Sequence, residues 1–166
     1  MGKSLGDELI AAVNTNFVTN ILPVYSGQTT METSCGVVVI NLGNILLLEY
    51  PQGHWDFPKG HVEESDPSRI DAAKRELQEE TGIDDIKIIQ GFEEKTEYDF
   101  RHKGKKIEKE VFWYIGETGI MDVEISHEHR DYLWLDWEQA VEMLTHIESK
   151  AVLNAAHKHM KKIGRE

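Results

Sequence analysis

Short apolar runs separated by polar turns begin near residue 35 of this chain. Residues 35–40 and 45–50 are almost wholly apolar, and Asn41-Leu42-Gly43-Asn44 lies between them. Two runs of this length joined by a turn that contains Gly and Asn are typical of paired antiparallel strands. The pattern therefore predicts a β-hairpin at this point of the chain.

The rest of the pattern predicts strands and helices that alternate along the chain. A loop rich in Gly, Pro and aromatic residues is expected at 51–60, and a second hairpin turn at 103–105. Mixed alternation of this kind predicts an α/β fold in which a mixed β-sheet lies between helices on both faces. The further predicted strands are 86–89, 94–98, 108–116 and 132–135, and the predicted helices are 68–81, 136–144 and 148–162.

The helix at 68–81 has recognisable ends. Asp66 is expected to cap its N-terminus, Pro67 suits the first helical position, and Gly82 suits the C-terminal end.

Residues 1–30 differ from the rest of the chain. Leu5, Leu9, Val13 and Phe17 recur at helical spacing, which predicts a short amphipathic helix. We interpret 1–30 as an N-terminal extension and 31–166 as one domain. Met31 lies directly before the first strand, so either methionine remains a candidate start.

Composition is that of an ordinary soluble protein, with 40% hydrophobic and 29% charged residues. The apolar runs are too short to span a bilayer, and the N-terminus lacks the apolar segment of a secretory signal. The only cysteine, Cys35, excludes an intrachain disulfide and is interpreted as a buried thiol. We therefore expect a cytoplasmic protein without membrane partners, and a monomer.

The formal net charge of −12 argues against a broad nucleic-acid-binding surface, since phosphate backbones need clustered Lys and Arg. A small polyanionic substrate stays possible, because divalent cations bridge acidic side chains to phosphates.

Three glutamates mark the helix at 68–81. Glu76, Glu79 and Glu80 are spaced i, i+3 and i+4 and share one face. Ile70, Ala73 and Leu77 are assigned to the opposite face of the helix, which is expected to be buried. An exposed acidic face is the commoner explanation of such a pattern. The functional explanation is a hard divalent cation held by carboxylate oxygens.

The surrounding residues favour the functional explanation. Gly60 precedes this helix, and the segment 75–83 reads Arg-Glu-Leu-Gln-Glu-Glu-Thr-Gly-Ile. Together they resemble the signature box of the Nudix hydrolase family, which runs Gly, five residues, Glu, seven residues, Arg-Glu-apolar-any-Glu-Glu-any-Gly-apolar. Two departures lie in the loop: Asp66 stands where the family has Glu, and eight residues instead of seven precede Arg75.

The resemblance implies a Nudix-type α/β/α sandwich and a pyrophosphohydrolase that uses Mg²⁺, with Mn²⁺ as a possible substitute. It implies metal ligation by Glu76, Glu79 and Glu80. Glu79 and Glu80 are also candidate proton acceptors, together with Glu128 in a later loop. The resemblance implies structural roles for three further residues of the box, which are Gly60, Arg75 and Gly82.

Within this family the chain is most similar to the asymmetrical bis(5′-nucleosyl)-tetraphosphatases, which split diadenosine tetraphosphate into ATP and AMP. The resemblance implies substrate binding by His54, Lys59, Tyr98, Lys109 and Tyr132, with the two tyrosines stacked on adenine. Four local features, in this order along the chain, carry the resemblance. They are Gly53-His54-Trp55 with 58–63, Gly91-Phe92 with Tyr98, Lys109 before 111–114, and 126–129 with Tyr132 and Trp134.

Each of these residues also has a purely structural explanation. Both tyrosines could be half-buried strand residues, and Lys109 could belong to a solvated strand face. His127 and His129 could be surface histidines. Three aromatic residues are more typical of a core or of loop anchors than of substrate contacts: Trp55, Phe92 and Trp134.

Other functions stay open at this point. Within the family, the alternatives are an RNA 5′ end, a nucleoside triphosphate or an inositol pyrophosphate as substrate. From a different class, a non-catalytic Nudix domain would sense nucleotides, although the intact Arg75-Glu76 and Glu79-Glu80 pairs speak against it.

Overall fold

The computed structural model describes residues 29–166. The predicted helix within residues 1–30 lies outside this range. No helix of the described range is long and apolar enough to cross a membrane. The elements are β1 (Thr29–Asn41), β2 (Asn44–Glu49), β3 (Trp55–Asp56), β4 (Lys59–His61), α1 (Arg69–Thr81), β5 (Lys87–Ile88), β6 (Glu94–His102), β7 (Lys105–Glu117), β8 (Asp131–Leu135), α2 (Trp137–Met143) and α3 (Ile147–Lys162).

The described residues fall into two compact units. The larger one comprises Thr33–Glu97 and Glu110–Glu166, and it contains the helices and most of the sheet. The smaller one includes 29–32 of β1 and Tyr98–Lys109. The range Tyr98–Lys109 forms the outer part of the β6–β7 hairpin. Lys103 and Gly104 at its turn have φ angles of 50° and 76°, the left-handed pair that a two-residue hairpin turn requires.

The sheet is organised around β1 and β2. Its order is β3-β2-β1-β7-β5, with β4 on β1, β6 on β7 and β8 on β2. The β1–β2 hairpin is confirmed, and its turn residues Leu42 and Gly43 have φ angles of 46° and 79°. Strands β3 and β4 lie in the segment predicted as a loop, so that prediction was wrong at both places. They are only two and three residues long, and β4 pairs with β1, more than 20 residues earlier in the chain, whereas β3 pairs with the neighbouring β2.

Both faces of the sheet are covered, as the α/β/α sandwich predicts. In β2, Ile45 and Leu47 pack in one cluster with apolar residues of α2 and α3. Leu46 and Leu48 point to the other face and pack with Ala72, Ala73 and Leu77 of α1. Because successive strand residues face opposite sides, a continuous apolar run is what a sheet covered twice needs.

The start of α1 differs from its prediction. Ser68 is the N-cap, and its hydroxyl accepts a hydrogen bond from the Asp71 N–H at 3.1 Å. Asp66 is therefore not the cap, and Pro67 precedes the cap instead of occupying the first helical position. The C-terminal end is as predicted, since Gly82 has a φ of 74° and its N–H bonds Gln78.

Two further burial predictions have different outcomes. Ile70 is exposed, and Ala72 is buried beside Ala73 and Leu77 in its place. Cys35 is fully buried as expected, and burial raises the pKa of its thiol to about 11. A thiol so strongly protonated is inert, which agrees with a structural role.

Candidate functional site

Strand β4 brings Gly60 against the acidic helix. It pairs with β1, where Gly60 lies opposite Cys35 and Lys59 opposite Gly36. A Cβ on Gly60 would lie 2.0 Å from both Cδ and Oε2 of Glu76. The absence of a side chain at this position is what lets the Glu76 carboxylate lie against the strand. Burial, the largest cause, raises the pKa of Glu76, and Arg75 opposes that shift.

Glu80 is the most buried acid of the helix, with 5% exposure. Its Oε2 accepts a hydrogen bond from the Lys59 backbone N–H at 3.1 Å. Burial raises the pKa of Glu80 to about 8, and the Glu76 carboxylate adds to the shift. The assignment of Glu80 to a face opposite Ala73 was wrong, because residues seven apart on a helix share a side. Glu80 therefore points inward beside Ala73.

Arg75 ties the helix to the preceding loop. Its Nε and Nη2 donate to the two oxygens of Asp66, at 2.8 and 2.9 Å, and Nη2 also donates to the His61 carbonyl at 2.9 Å. The pairing with Arg75 holds the pKa of Asp66 at about 2. The Asp66–Arg75 pair thus forms despite the extra residue in the loop. The prediction that Asp66 caps the helix was wrong.

Arg75 also bridges Glu76 and Glu79. Its Nη1 donates to Glu76 Oε1 at 2.9 Å and to Glu79 Oε2 at 3.2 Å. The Glu79 side chain is 58% exposed, whereas that of Glu76 is largely covered. Within residues 29–166, no three His, Cys, Asp or Glu side chains converge as a ready-made metal cluster.

The residues nevertheless fit a divalent cation. Glu80 is a buried carboxylate and Glu76 a half-buried one, and they are close enough for the charge of Glu76 to raise the pKa of Glu80. Two desolvated carboxylates repel each other, and a hard cation relieves that repulsion through oxygen ligands. The side-chain-free approach at Gly60 leaves the Glu76 carboxylate packed directly on the backbone.

Lys59 holds its charge in a defined place. Its ammonium group forms an ion pair with Asp56 Oδ2 at 2.8 Å and lies 4.8 Å from the centre of the Tyr50 ring. Asp56 is itself buried, and its Oδ1 accepts hydrogen bonds from the Phe57 N–H and the Ser149 hydroxyl, both at 2.9 Å. This network fixes the Lys59 ammonium group, and the backbone N–H of the same residue donates to Glu80.

His54 belongs to an aromatic group next to Lys59. It stacks on Tyr50 with ring centres 4.8 Å apart and an interplanar angle of 8°. Burial lowers the pKa of His54, and the Lys59 charge lowers it further. The Tyr50 hydroxyl donates to the Phe57 carbonyl at 2.9 Å, which anchors the stack.

The loop that carries Glu128 is fastened to the end of α1. Its backbone N–H groups at Glu124 and Ser126 donate to the carbonyls of Thr81 and Glu80, each at 3.0 Å. Glu128 is exposed, and its charge contributes to the raised pKa of Glu80. His129 next to it is buried, so its interpretation as a surface histidine was wrong, while that of His127 holds.

Tyr132 lies on β8, Tyr98 on β6 and Lys109 on β7. Tyr132 is half-buried on β8, where it pairs with Leu48 and packs against the core on the α1 side. Tyr98 and Lys109 belong to the smaller unit. Tyr98 is 43% exposed there and stacks on Phe100 with ring centres 6.2 Å apart.

The aromatic residues assigned to the core or to loop anchors have that environment. Phe92 is buried in the cluster on the α2–α3 side, and Trp55 packs against the same cluster. Trp134 packs on the opposite face, and its indole N–H donates to the Met121 carbonyl at 3.0 Å.

Sequence reasoning missed three contributors to this site: Tyr50, Asp56 and the buried His129. The one local signal was Asp56, a charged residue between Trp55 and Phe57. A carboxylate inside an aromatic run is buried only when it is paired, and Lys59 follows three positions later.

Comparisons with known proteins agree with this geometry. The model of the NUDIX domain family matches residues 31–155. An asymmetrical bis(5′-nucleosyl)-tetraphosphatase from Sus scrofa is 38% identical over 121 residues, which cover 69% of this chain and 79% of that protein. An RNA pyrophosphohydrolase from Pelagibacter ubique is 25% identical over 130 residues, covering 69% of this chain and 82% of its own length.

Among solved structures, an Ap4A hydrolase from C. elegans in a binary complex is similar, with a TM-score of 0.69 and 28% identity. The match covers 79% of this chain and 98% of that one. With the box geometry around Gly60, Arg75 and the glutamates, and with a family match over most of its length, the chain belongs to the Nudix hydrolase family.

Proposed function

We propose that this chain hydrolyses diadenosine tetraphosphate asymmetrically, to ATP and AMP. The observation that carries the proposal is the convergence of β4 with α1, where Gly60 and the Lys59 N–H meet the Glu76 and Glu80 carboxylates. The similarity to the tetraphosphatase from Sus scrofa supports the choice of substrate. Gly60, Arg75 and Gly82 are structural in this proposal, since they set the loop, the ion-pair network and the helix end.

Nudix hydrolases generally use divalent metal ions, and we assign Mg²⁺ to this site, with Mn²⁺ as a substitute. Glu76 and Glu80 would hold the ion through their covered carboxylates, and Glu79 would join them from the exposed side of the helix. A bound divalent ion neutralises phosphoryl charge and lowers the pKa of water. The carboxylates supply the oxygen ligands that such an ion prefers.

In the hydrolysis itself, a water oxygen bonds to a phosphorus atom and the anhydride P–O bond to the leaving nucleotide breaks. A carboxylate accepts the proton that this water releases. Glu79, Glu80 and Glu128 are the candidate acceptors. Glu128 has the advantage that its loop is fastened to α1 by hydrogen bonds while its side chain is exposed to incoming solvent.

The remaining site residues bind the substrate in this proposal. Lys59 and Lys109 attract the polyphosphate as point charges, and His54 borders the phosphate chain. Tyr98 and Tyr132 stack on one adenine, for which a flat ring with a polar tip is well suited. The enzyme acts as a monomer in the cytoplasm, without a membrane or an extended nucleic acid as partner.

An activity panel tests this function. Purified protein with Mg²⁺ is given dinucleoside polyphosphates, nucleoside triphosphates and RNA with a 5′-triphosphate, and the products are resolved by chromatography. We expect ATP and AMP from diadenosine tetraphosphate in equal amounts. Symmetrical ADP products, or no cleavage of dinucleotides, would refute the assignment.

RNA 5′ ends are a second candidate substrate, which the similarity to the RNA pyrophosphohydrolase favours. Release of pyrophosphate from the RNA, with dinucleotides left intact, would select it. A nucleotide sensor would bind these compounds and release nothing.

A further inference from the structure

The buried His129 stands beside Glu80 with half of its hydrogen-bonding capacity unused. Its side chain is only 1% exposed. Nδ1 lies 3.1 Å from the Ser126 hydroxyl, whereas Nε2 is buried and has no hydrogen-bond partner within residues 29–166. Glu80 Oε2 lies 4.0 Å from this nitrogen. A buried polar atom without a partner is costly, and so a second arrangement that satisfies it is favoured.

The contacts of Ser126 are compatible with a proton on His129 Nε2. The Ser126 oxygen lies 3.4 Å from the Glu128 nitrogen and 3.1 Å from His129 Nδ1, and its hydroxyl proton can be donated to Nδ1. A histidine that accepts at Nδ1 carries its proton on Nε2. In this tautomer, the N–H donor of His129 lies 4.0 Å from Glu80 Oε2.

The imidazole ring is held on its other side as well. Tyr50 meets it edge to face, with ring centres 4.6 Å apart. The backbone of the same loop bonds α1 through the Ser126 N–H and the Glu80 carbonyl at 3.0 Å. The backbone thus holds the His129 ring and the Glu80 carboxylate near each other. A shift of about 1 Å brings His129 Nε2 within hydrogen-bond distance of Glu80 Oε2.

We propose that His129 is a positioning residue, which donates a hydrogen bond from Nε2 to Glu80 Oε2 and so fixes the orientation of this carboxylate in the active site. Oε2 then has two donors, His129 and the Lys59 N–H, while Oε1 has no hydrogen bond within the described residues. The oxygen that is left, Oε1, serves as the ligand for the divalent ion. The proposal rests on the proposed function, because it assigns Glu80 to the metal site of a hydrolase.

The test compares His129→Phe, which keeps the ring and loses the donor, with His129→Gln, whose amide N–H reaches a similar point. Mn²⁺ affinity is measured by electron paramagnetic resonance without substrate, and kcat and KM are measured with Mg²⁺. Loss of a group that orients a metal ligand costs about 10- to 100-fold in metal affinity or activity. We expect a loss of that size in Mn²⁺ affinity and kcat for Phe, little change in KM, and partial recovery for Gln.

Two controls separate positioning from a merely structural role. His127→Phe changes the exposed neighbour and should leave both readouts unchanged. On a Glu80→Gln background, His129→Phe should add little further loss, because both changes remove the same interaction.

Equal Mn²⁺ affinity in wild type and His129→Phe would overturn the inference, as would full additivity with Glu80→Gln. Failure of Phe and Gln alike to bind Mn²⁺, with both folded by circular dichroism, would also overturn it, since the donor would then be irrelevant. If the wild type binds Mn²⁺ but cleaves no nucleotide, the proposed function fails, and the Mn²⁺ comparison still decides the role of His129.

Discussion

Gly60 and Glu76 are packed so closely that a Cβ on the glycine would lie 2.0 Å from the Cδ atom of the glutamate. No positive φ is involved at Gly60, so the requirement for glycine comes from the space and not from the backbone conformation. The first position of the Nudix box is thereby explained by a contact with a metal-ligand candidate in its second half.

Replacing Gly60 by alanine should therefore impair activity more than folding. The Glu76 carboxylate is the end of a flexible side chain and can move aside, which keeps the strand and the helix in place. Displacement of a reacting group by about 1 Å can cost roughly 10²-fold in rate. We expect a loss of that order in kcat for Gly60→Ala, measured by steady-state kinetics, with little change in the midpoint of urea unfolding.

Gly43→Ala is the matched control for this prediction. Gly43 has a φ of 79° in the β1–β2 turn, and no atom lies within 4 Å of a Cβ placed there. An alanine with this backbone conformation should lose about 1–2 kcal/mol of folding free energy and keep its kcat. The opposite pattern in the two variants would contradict the spatial explanation for Gly60.

Glu79→Gln should lower kcat by at least ~10²-fold, because it removes a charged group that we propose as a ligand of the metal ion that neutralises phosphoryl charge. Its side chain is exposed and makes only an ion pair with Arg75, so the free energy of unfolding should change little. Kinetics in saturating Mg²⁺ provide the measurement, and Glu138→Gln on α2 is the control for an exposed helical glutamate. Turnover near that of the wild type would exclude Glu79 as a ligand.

Asp66 supplies a prediction on acid stability. Its pKa is held at about 2 by the Arg75 side chain, below the value of about 4 in an unfolded chain. A depressed carboxyl pKa stabilises the fold above the unfolded pKa, and this contribution is lost as pH falls towards the folded pKa. Asp66→Asn should therefore be less stable than the wild type at pH 5, and the difference should shrink between pH 4 and pH 2.

Urea unfolding of both proteins across this range measures that difference. Asp122→Asn, an exposed residue in the loop after β7, is the control and should follow the wild type throughout. A difference that grows on acidification would contradict the sign that the ion pair requires.

The elements that the sequence predicts well are those with a purely local cause. The β1–β2 hairpin follows from Leu42-Gly43 between two apolar runs, and the end of α1 follows from Gly82. A continuous apolar run also predicts a strand that is buried on both faces of the sheet. In β2, Leu46 and Leu47 are buried on opposite faces.

The parts that were mispredicted depend on partners distant in the chain. Strand β4 exists only because Gly60 finds Cys35 on β1. Asp66 was assigned to the helix cap because the loop before Arg75 carries one residue more than the Nudix box, and only the folded loop brings the two side chains together. The burial of His129 likewise depends on a loop closing over the end of α1, for which no local pattern exists. The burial of Glu80 beside Ala73, by contrast, follows from their seven-residue spacing on the helix.

A chain that begins at Met31 should fold and keep its activity. The truncation removes Thr29 and Thr30 from the exposed start of β1, and the pairing of β1 with β4 begins at Ser34. Segments at a terminus that bury little are the ones whose loss is tolerated. Circular dichroism, urea unfolding and the diadenosine tetraphosphate assay make the comparison, and unfolding on truncation would place the domain boundary earlier.

The proposed stacking of Tyr98 and Tyr132 on adenine predicts a selective effect on substrate binding. Base–aromatic stacking is worth about 1–3 kcal/mol per ring, so loss of either ring should raise KM for diadenosine tetraphosphate by roughly 5- to 150-fold. The stacked base is remote from the bond that breaks, and kcat should change little because ground state and transition state lose the same contact. Tyr98→Ala and Tyr132→Ala test this by steady-state kinetics.

The phenylalanine variants and the double change sharpen that test. Tyr98→Phe and Tyr132→Phe should be nearly silent, since the face of the ring binds the base and the hydroxyl does not. The double alanine variant should lose no more binding free energy than the sum of the single losses, because both rings serve one base. Tyr132 packs against the core, so its alanine variant needs a check of folding by circular dichroism before its KM is interpreted. Folded alanine variants with an unchanged KM would remove both tyrosines from the substrate site and leave the chain a Nudix hydrolase with another means of holding its nucleotide.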